Sequence, residues 1–168
     1  RSESPIVEYY SIDEFFFDAT HFARHGTLQE ARKIQQRILD EVGVPVTIGI
    51  SLSRTLAKLI SDTAKPFGCK VLTENIPQFL RNMHVDELCG IGGKSAQKLV
   101  QKGIKTCLDF SIADRSFIRK LLTVKGEKIW MELNGIPCDP ILVKRKAHKA
   151  ISRGGSLGGK TIDPEVIN

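Results

Sequence analysis

The stretch VEYYSIDEFFFD, residues 7–18, places an acidic pair between two runs of strand-forming residues. Aromatic and β-branched side chains on both sides of the pair predict two short strands on a largely buried surface. The acids are Asp13 and Glu14. Removing carboxylates from water is costly unless a cation or a set of hydrogen-bond donors compensates their charge. This stretch therefore predicts a turn whose two carboxylates lie close to a compensating group.

A divalent metal ion is one group that would compensate these acids. Mg²⁺ takes oxygen ligands, commonly one or two carboxylates with waters and phosphates, so an adjacent pair can form half of a phosphoryl-transfer site. Neighbouring residues of a regular strand point to opposite faces, so both acids reach one site only if the chain turns or bulges at residues 11–14. The alternative interpretation is the polar tip of a hairpin without chemistry.

Alternating strand and helix patterns follow the acidic stretch. Thr27 and Glu30 have capping-box spacing at the start of an amphipathic helix that Gly43 ends. A short strand at 46–50, a second helix at 53–68 and a strand at 70–74 come next. This order predicts an α+β or α/β fold in which helices pack on a mixed sheet. His21 and His25 are interpreted as solvated side chains.

Residues 85–104, VDELCGIGGKSAQKLVQKGI, fit a helix-hairpin-helix, in which a tight Gly-hydrophobic-Gly turn joins two short helices. Glycines allow a close approach of the backbone to a phosphate, and lysines then recur every four residues. Such a module holds the DNA backbone without reading sequence. The predicted DNA-binding residues are Gly90, Gly92, Gly93, Lys94, Ser95 and Lys98. The alternative is an ordinary helical turn with a flexible Gly-Gly pair.

The distribution of charge divides the chain into two halves. Residues 1–80 contain nine Lys and Arg against ten Asp and Glu, net −1, whereas residues 81–168 contain sixteen against nine, net +7. A basic half indicates a polyanionic partner such as nucleic acid, or surface lysines that serve solubility. No apolar run approaches the ~18 to 20 residues of a membrane span, and the four cysteines lack metal-site spacing. A cytoplasmic, nucleoid-associated protein without a membrane partner is expected.

Three of these motifs resemble those of the Y-family translesion DNA polymerases, of the UmuC and DinB type. SIDEFFFD resembles the acidic turn and strand of the family's palm domain. GISLSRTLAKLISDTAKPFG, residues 49–68, is similar to the segment after the central palm strand, and the helix-hairpin-helix is similar to the thumb. FIRK followed by ELNGIPC resembles the UmuC branch in particular.

The resemblance implies a domain division and a set of residue roles. It implies a partial palm at residues 1–76, a helical thumb at 77–139, and a basic linker with the start of a truncated little finger at 140–168. Asp13 and Glu14 would be catalytic ligands of a two-metal Mg²⁺ site, half of which this chain encodes. Lys65 would lie by the triphosphate of a dNTP. A lysine that complements the end of its helix is the alternative role for Lys65.

The resemblance also implies lesion bypass on damaged primer-template DNA, within DNA repair and the SOS response. The first metal-binding aspartate, the fingers and most of the little finger are expected to be missing, so the fragment alone should be inactive. Binding of a sliding clamp or accessory subunit stays open. The rival hypothesis is a non-catalytic DNA-binding module with a vestigial palm, and a third is another palm-type enzyme, such as a cyclase, which the basic thumb argues against.

Overall fold

The computed structural model describes residues 6–24 and 26–142, in which the strands form two separate sheets. β1 (Val7–Tyr9) and β2 (Phe15–Phe17) pair antiparallel, with Glu8 opposite Phe16. β3 (Ile48–Ser51) and β4 (Cys69–Leu72) pair parallel, with Ile48 opposite Cys69. A short turn closes the first pair locally, whereas the second needs a helical crossover. The predicted helices and strands are present, but no ladder within the described residues joins the two sheets into one mixed sheet.

Two helices accompany the parallel pair. α1 (Thr27–Val42) begins after Gly26 and ends at Gly43, which is left-handed. The predicted Thr27 capping box is wrong, because Thr27 is already inside the helix and no side chain caps it. α2 (Arg54–Thr63) begins at Ser53, whose hydroxyl accepts a hydrogen bond from the Leu56 amide at 3.3 Å.

Gly49 explains how β3 can lie directly on α2. A Cβ atom at this position would overlap the carbonyl oxygen of Ala57 and the amide nitrogen of Ser61. Both of these atoms belong to the backbone of α2, so no side-chain movement can relieve the overlap. The glycine of the Gly-Ile-Ser sequence is therefore required by close packing between strand and helix.

Short helices make up the rest of the described chain. They are α3 (Ile76–Leu80), a 3₁₀-helix (Val85–Glu87), α4 (Gly93–Gln101), α5 (Cys107–Ile112) and α6 (Arg115–Leu133). α6 consists of two helical segments, because Thr123 has φ 64° and ψ −165°. A 3₁₀-helix, Thr20–Arg24, precedes α1. No helix in the described ranges is long and apolar enough to cross a membrane.

The largest hydrophobic core belongs to these helices and reaches back into α2. Leu99, Phe110 and Ile118 are fully buried in it, together with Leu56 and Leu59 of α2. Trp130 packs against this core and donates a hydrogen bond from Nε1 to the Ala113 carbonyl at 2.9 Å. The core therefore connects α2 to the helical half of the chain.

Candidate polymerase active site and DNA interface

The acidic pair lies in the five-residue connection between β1 and β2. The amides of Tyr10 and Ser11 donate to the Glu14 carbonyl at 2.9 and 3.2 Å, and this closes the turn. The Ser11 hydroxyl donates to Asp13 Oδ1 at 2.8 Å and lies 3.4 Å from Glu14 Oε2. Because both carboxylates reach one hydroxyl, they lie on the same side of the turn. The turn predicted at residues 11–14 is present, and it brings the two acids together.

The two acids differ in their surroundings. Asp13 is exposed, whereas Glu14 is partly covered and forms an ion pair with Lys58 of α2. Burial alone would lower the pKa of Lys58, but the hydrogen bond and charge of Glu14 outweigh it and raise that pKa above its ordinary value. Lys58 therefore remains charged beside the acids at neutral pH.

A second ion pair joins the hairpin to α2. Arg54 Nη2 lies 2.9 Å from Glu8 Oε1, and both side chains are largely buried. The Arg54 guanidinium also lies 4.5 Å from the ring centre of Phe16 and 5.5 Å from that of Tyr10. Arg54 thus contacts both strands, through Glu8 and Phe16, and Lys58 contacts the turn between them.

Lys65 lies beyond the end of α2, with its side chain exposed. Its ammonium pairs with Asp62 at 2.7 Å, and the hydrogen bond and charge of Asp62 raise the pKa of Lys65. Within the described residues, the Lys65 ammonium is paired with Asp62 and with neither Asp13 nor Glu14.

The helix-hairpin-helix residues form an open, basic surface. Gly90 has φ 97°, which favours glycine, and Gly92 is the N-cap of α4. A side chain added at Gly92 or Gly93 would meet open space, so the first amides of α4 are accessible. Lys94 and Lys98 are exposed and form no ion pair with any other described residue. The first predicted helix is shorter than expected, since it is the 3₁₀-helix Val85–Glu87.

A cleft of about 460 Å³ lies between the hairpin and the helix-hairpin-helix. Tyr10 and Phe16 line it from the hairpin, Lys58 from α2, Cys89 from the glycine turn and Lys125 from α6. An added Cβ at Gly90 would lie 3.1 Å from Lys125 Cε, which places that exposed lysine over the turn. Residues on either side of the acidic turn and one residue of the glycine turn therefore line a common space, whereas Asp13 and Glu14 themselves are not among its lining residues.

A buried acid fixes α2 against α6. Glu132 is 6% exposed, and its carboxylate accepts the Thr55 amide at 2.9 Å and the Thr55 hydroxyl. The Ser53 hydroxyl donates to the Glu132 carbonyl at 2.7 Å. The N-terminal end of α2 is thus bonded to the C-terminal end of α6, which sets the distance between the acidic turn and the basic helices.

The donor chemistry at the turn fits a divalent metal only in part. Asp13 and Glu14 offer hard oxygen atoms on one side of the chain. No group of three or more His, Cys, Asp or Glu side chains that could hold a metal occurs in the described part of the chain. The pair can supply two ligands of a larger site.

The structure makes Lys58, Lys125 and Glu132 prominent. The sequence does not single out Glu132 or Lys125, and the helical position of Lys58 fits a phosphate neighbour and a solvated side chain equally well. The contacts of Lys58 and Glu132 cross 44 and 77 residues of chain, respectively. Local spacing carries no signal for such partners.

Comparison with known proteins identifies the fold that holds this site. The sequence model described as the impB/mucB/samB family matches residues 1–62, and that of the IMS family HHH motif matches residues 73–104. The chain is homologous to the Y-family DNA polymerases. The second match confirms the helix-hairpin-helix predicted from the glycine turn.

Curated Y-family relatives resemble nearly the whole chain. DNA polymerase IV 1 of Bacillus subtilis (strain 168) is 33% identical across 99% of this chain and 41% of its own length. DNA polymerase IV of Oceanobacillus iheyensis is 40% identical across 79% of this chain and 32% of its own length. The chain thus spans about two fifths or less of these relatives. Both carry the polymerase IV name, and the predicted likeness to the UmuC branch stays a prediction.

Solved Y-family structures share the fold. A structure titled "Insertion ternary complex of Dbh DNA polymerase" matches with a TM-score of 0.72 and 28% identity, over 83% of this chain and 42% of that one. A DinB structure from Sulfolobus solfataricus matches with a TM-score of 0.70 and 29% identity, over the same shares. The small sheets and the helical region are therefore those of a Y-family polymerase.

Proposed function

We propose that this chain forms the palm and thumb portion of a lesion-bypass DNA polymerase that acts on damaged primer-template DNA. The observation that carries the proposal is the shared Ser11 hydroxyl, which puts Asp13 and Glu14 on one side of their turn. The flanking residues Tyr10 and Phe16 line a cleft together with Cys89 of the glycine turn. Homology to the polymerases supports it. Within this assignment, residues 1–76 are the partial palm, 77–139 the thumb, and 140–168 the linker and start of the little finger.

Asp13 and Glu14 are the residues that would hold Mg²⁺ in this function. When bound, the metal supplies positive charge to the transferring phosphate and to the attacking primer hydroxyl. Two carboxylates supply part of such a site, so further ligands must come from the substrate and from outside the described residues. Glu14 would ligate the metal or accept the proton of the primer hydroxyl.

Lys65 would contact the triphosphate of the incoming dNTP as a mobile point charge. Its side chain is exposed and its ammonium is paired only with the exposed Asp62 among the described residues. An exchange of this weak surface partner for a phosphate is favourable, because charge-assisted hydrogen bonds to phosphate are stronger than a solvated ion pair.

DNA would be held through its backbone by Gly90, Gly92, Gly93, Lys94, Ser95 and Lys98. The open amides at the start of α4 and its unpaired lysines suit phosphate oxygens. The arginines of α6 contrast with them, since Arg115 and Arg119 are both paired with Glu127. A cytoplasmic, nucleoid-associated location and a role in the SOS response belong to the same proposal.

Two titrations on the full chain test the function. Mn²⁺ binding should weaken at least tenfold in D13N/E14Q, because both oxygen donors lose their charge, and should be unchanged in K94E/K98E. Duplex DNA binding should show the reverse: K94E/K98E should weaken it and reduce the slope of log K against log salt by about two units, since each of the two removed phosphate contacts contributes about 0.9.

The same titrations decide between the proposal and its rival. If D13N/E14Q binds Mn²⁺ as the unmodified chain does, while K94E/K98E loses DNA, the chain is a DNA-binding module without a metal site. If K94E/K98E binds DNA with an unchanged salt slope, the helix-hairpin-helix is not the DNA interface.

A further inference from the structure

Glu14 already has a cation. One of its carboxylate oxygens, Oε1, accepts from the ammonium of Lys58, while the other, Oε2, faces the Ser11 hydroxyl. The Glu14 side chain is 38% exposed and that of Lys58 only 21%. One of the two carboxylate oxygens of Glu14 is therefore covered by a positively charged group of the same chain.

Lys58 is held in this place by the fold. It lies on α2, whose start is bonded to Glu132 and whose apolar side enters the main core through Leu56. Its ammonium is 5.8 Å from the ring centre of Tyr10, one residue before the acidic turn. Lys65, by contrast, is 65% exposed and is paired with a neighbour three residues away.

We propose that Lys58 is the resident counter-ion of the acidic pair, and that a divalent metal binds Glu14 only by displacing the Lys58 ammonium. This inference rests on the proposed function, because it takes Glu14 as a metal ligand. The two cations compete for one oxygen, and the flexible four-carbon stem of lysine lets the ammonium swing away while α2 stays fixed.

The displaced Lys58 ammonium can turn into the cleft that its side chain already lines. Lys58 lines the cleft that also contains Arg54, Lys125 and Lys128, so release from Glu14 turns a fourth positive charge toward that space. A phosphate-bearing ligand in the cleft would then be favoured by metal binding at the turn. Lys58 is thus a positioning residue that couples metal occupancy to the charge of the cleft.

Mn²⁺ titration of K58M on the full chain tests the displacement. The variant should bind Mn²⁺ about three- to tenfold more tightly, because the competing cation of a partly exposed pair is gone. K33M removes an equal charge from α1, where the exposed Lys33 pairs with Glu30, and should stay within about twofold of the unmodified chain. Unchanged or weaker binding by K58M overturns the proposal.

A metal-free measurement separates this proposal from the proposed function. In urea unfolding with chelator present, E14Q should shift the midpoint less in the K58M background than in the unmodified chain, since their contact is already lost. Additive shifts overturn the counter-ion role even if Mn²⁺ binds. If neither the unmodified chain nor any variant binds Mn²⁺, both the proposed metal site and the displacement of Lys58 are wrong. Non-additive shifts of the midpoints would then show that Lys58 contacts Glu14 but does not compete with a metal.

Discussion

The acidic hairpin and the helical half are stabilised in different ways. In the hairpin, each strand has three residues, Ile12 is fully exposed and Phe15 is 51% exposed. In the helical half, Phe110, Leu99 and Ile118 have no exposed surface. A two-stranded sheet of this size is marginal by itself. The hairpin therefore depends on its ion pairs with α2, while the helices depend on apolar burial.

Because of this difference, we expect the hairpin to change conformation more easily than the helical half. The helical half has a rigid backbone, as the proposed DNA contacts require, because its core is continuous with α2. The hairpin is held by ion pairs, that of Arg54 with Glu8 of β1 and that of Lys58 with Glu14 of the turn. Local opening should accordingly be easier at the turn than in the core.

Truncation of one aromatic residue in each region should give the largest contrast. Phe110→Ala should lower the free energy of unfolding by about 3–5 kcal/mol, because it leaves a cavity in a fully buried site. Phe15→Ala should lower it by about 1 kcal/mol or less, since that ring is half exposed and chiefly contacts Tyr9, at 5.3 Å between ring centres.

Urea unfolding followed by circular dichroism measures both variants. Ile118→Val is the matched milder change in the core and should lower the free energy of unfolding by about 0.5–1.5 kcal/mol. Equal effects of Phe110→Ala and Phe15→Ala would show that the hairpin is part of the main core, against the division drawn here.

The contact between Glu132 of α6 and Thr55 of α2 joins the two regions, and weakening it should have an intermediate effect on the free energy of unfolding. Glu132→Gln keeps the shape of the side chain but weakens two hydrogen bonds from Thr55, so unfolding should become easier by about 1–2 kcal/mol. Glu41→Gln, on the exposed pair with Arg37, should change it by less than about 0.5 kcal/mol. Equal changes in the free energy of unfolding for the two variants would show that Glu132 does not stabilise the contact between α2 and α6.

Features that depend on nearby residues could be predicted from the sequence. The turn at residues 11–14, the end of α1 at Gly43 and the helix-hairpin-helix around Gly90 each follow from a few adjacent side chains. Their signals are backbone conformations that favour glycine, and hydrophobic periodicity. These features include the acidic pair itself.

Features that depend on distant partners could not be predicted in the same way. The ion pair of Lys58 with Glu14 and the bond of Thr55 to Glu132 form only once α2 packs between the hairpin and α6. The separation of the sheets and the break at Thr123 are likewise decided by tertiary packing. The residue types were visible, but their pairing required the fold.

The smallest expected effect is a difference between the hairpin and the helical half in how their stability depends on pH. Backbone hydrogen bonds from Thr106 and Lys105 lower the pKa of Asp109, which caps α5, below the ordinary value of 3.8. Since the folded pKa is the lower one, this contribution is present above about pH 4 and is lost as the pH falls through 3.8 toward the folded value. Asp18, beside the hairpin, has a pKa lowered by its hydrogen bonds with Thr20.

Asp109→Asn should therefore reduce the loss of core stability between pH 7 and pH 3 by ~0.5 kcal/mol or less, because Asp109 is well solvated. Asp18→Asn should leave unfolding of the core unchanged between these pH values and should alter only hydrogen exchange of the β2 amides. Those amides report the hairpin separately from the core. A pH response of core unfolding that moves as much in Asp18→Asn as in Asp109→Asn would mean that the two regions unfold as one unit, and that the acidic turn is no more adaptable than the helices it faces.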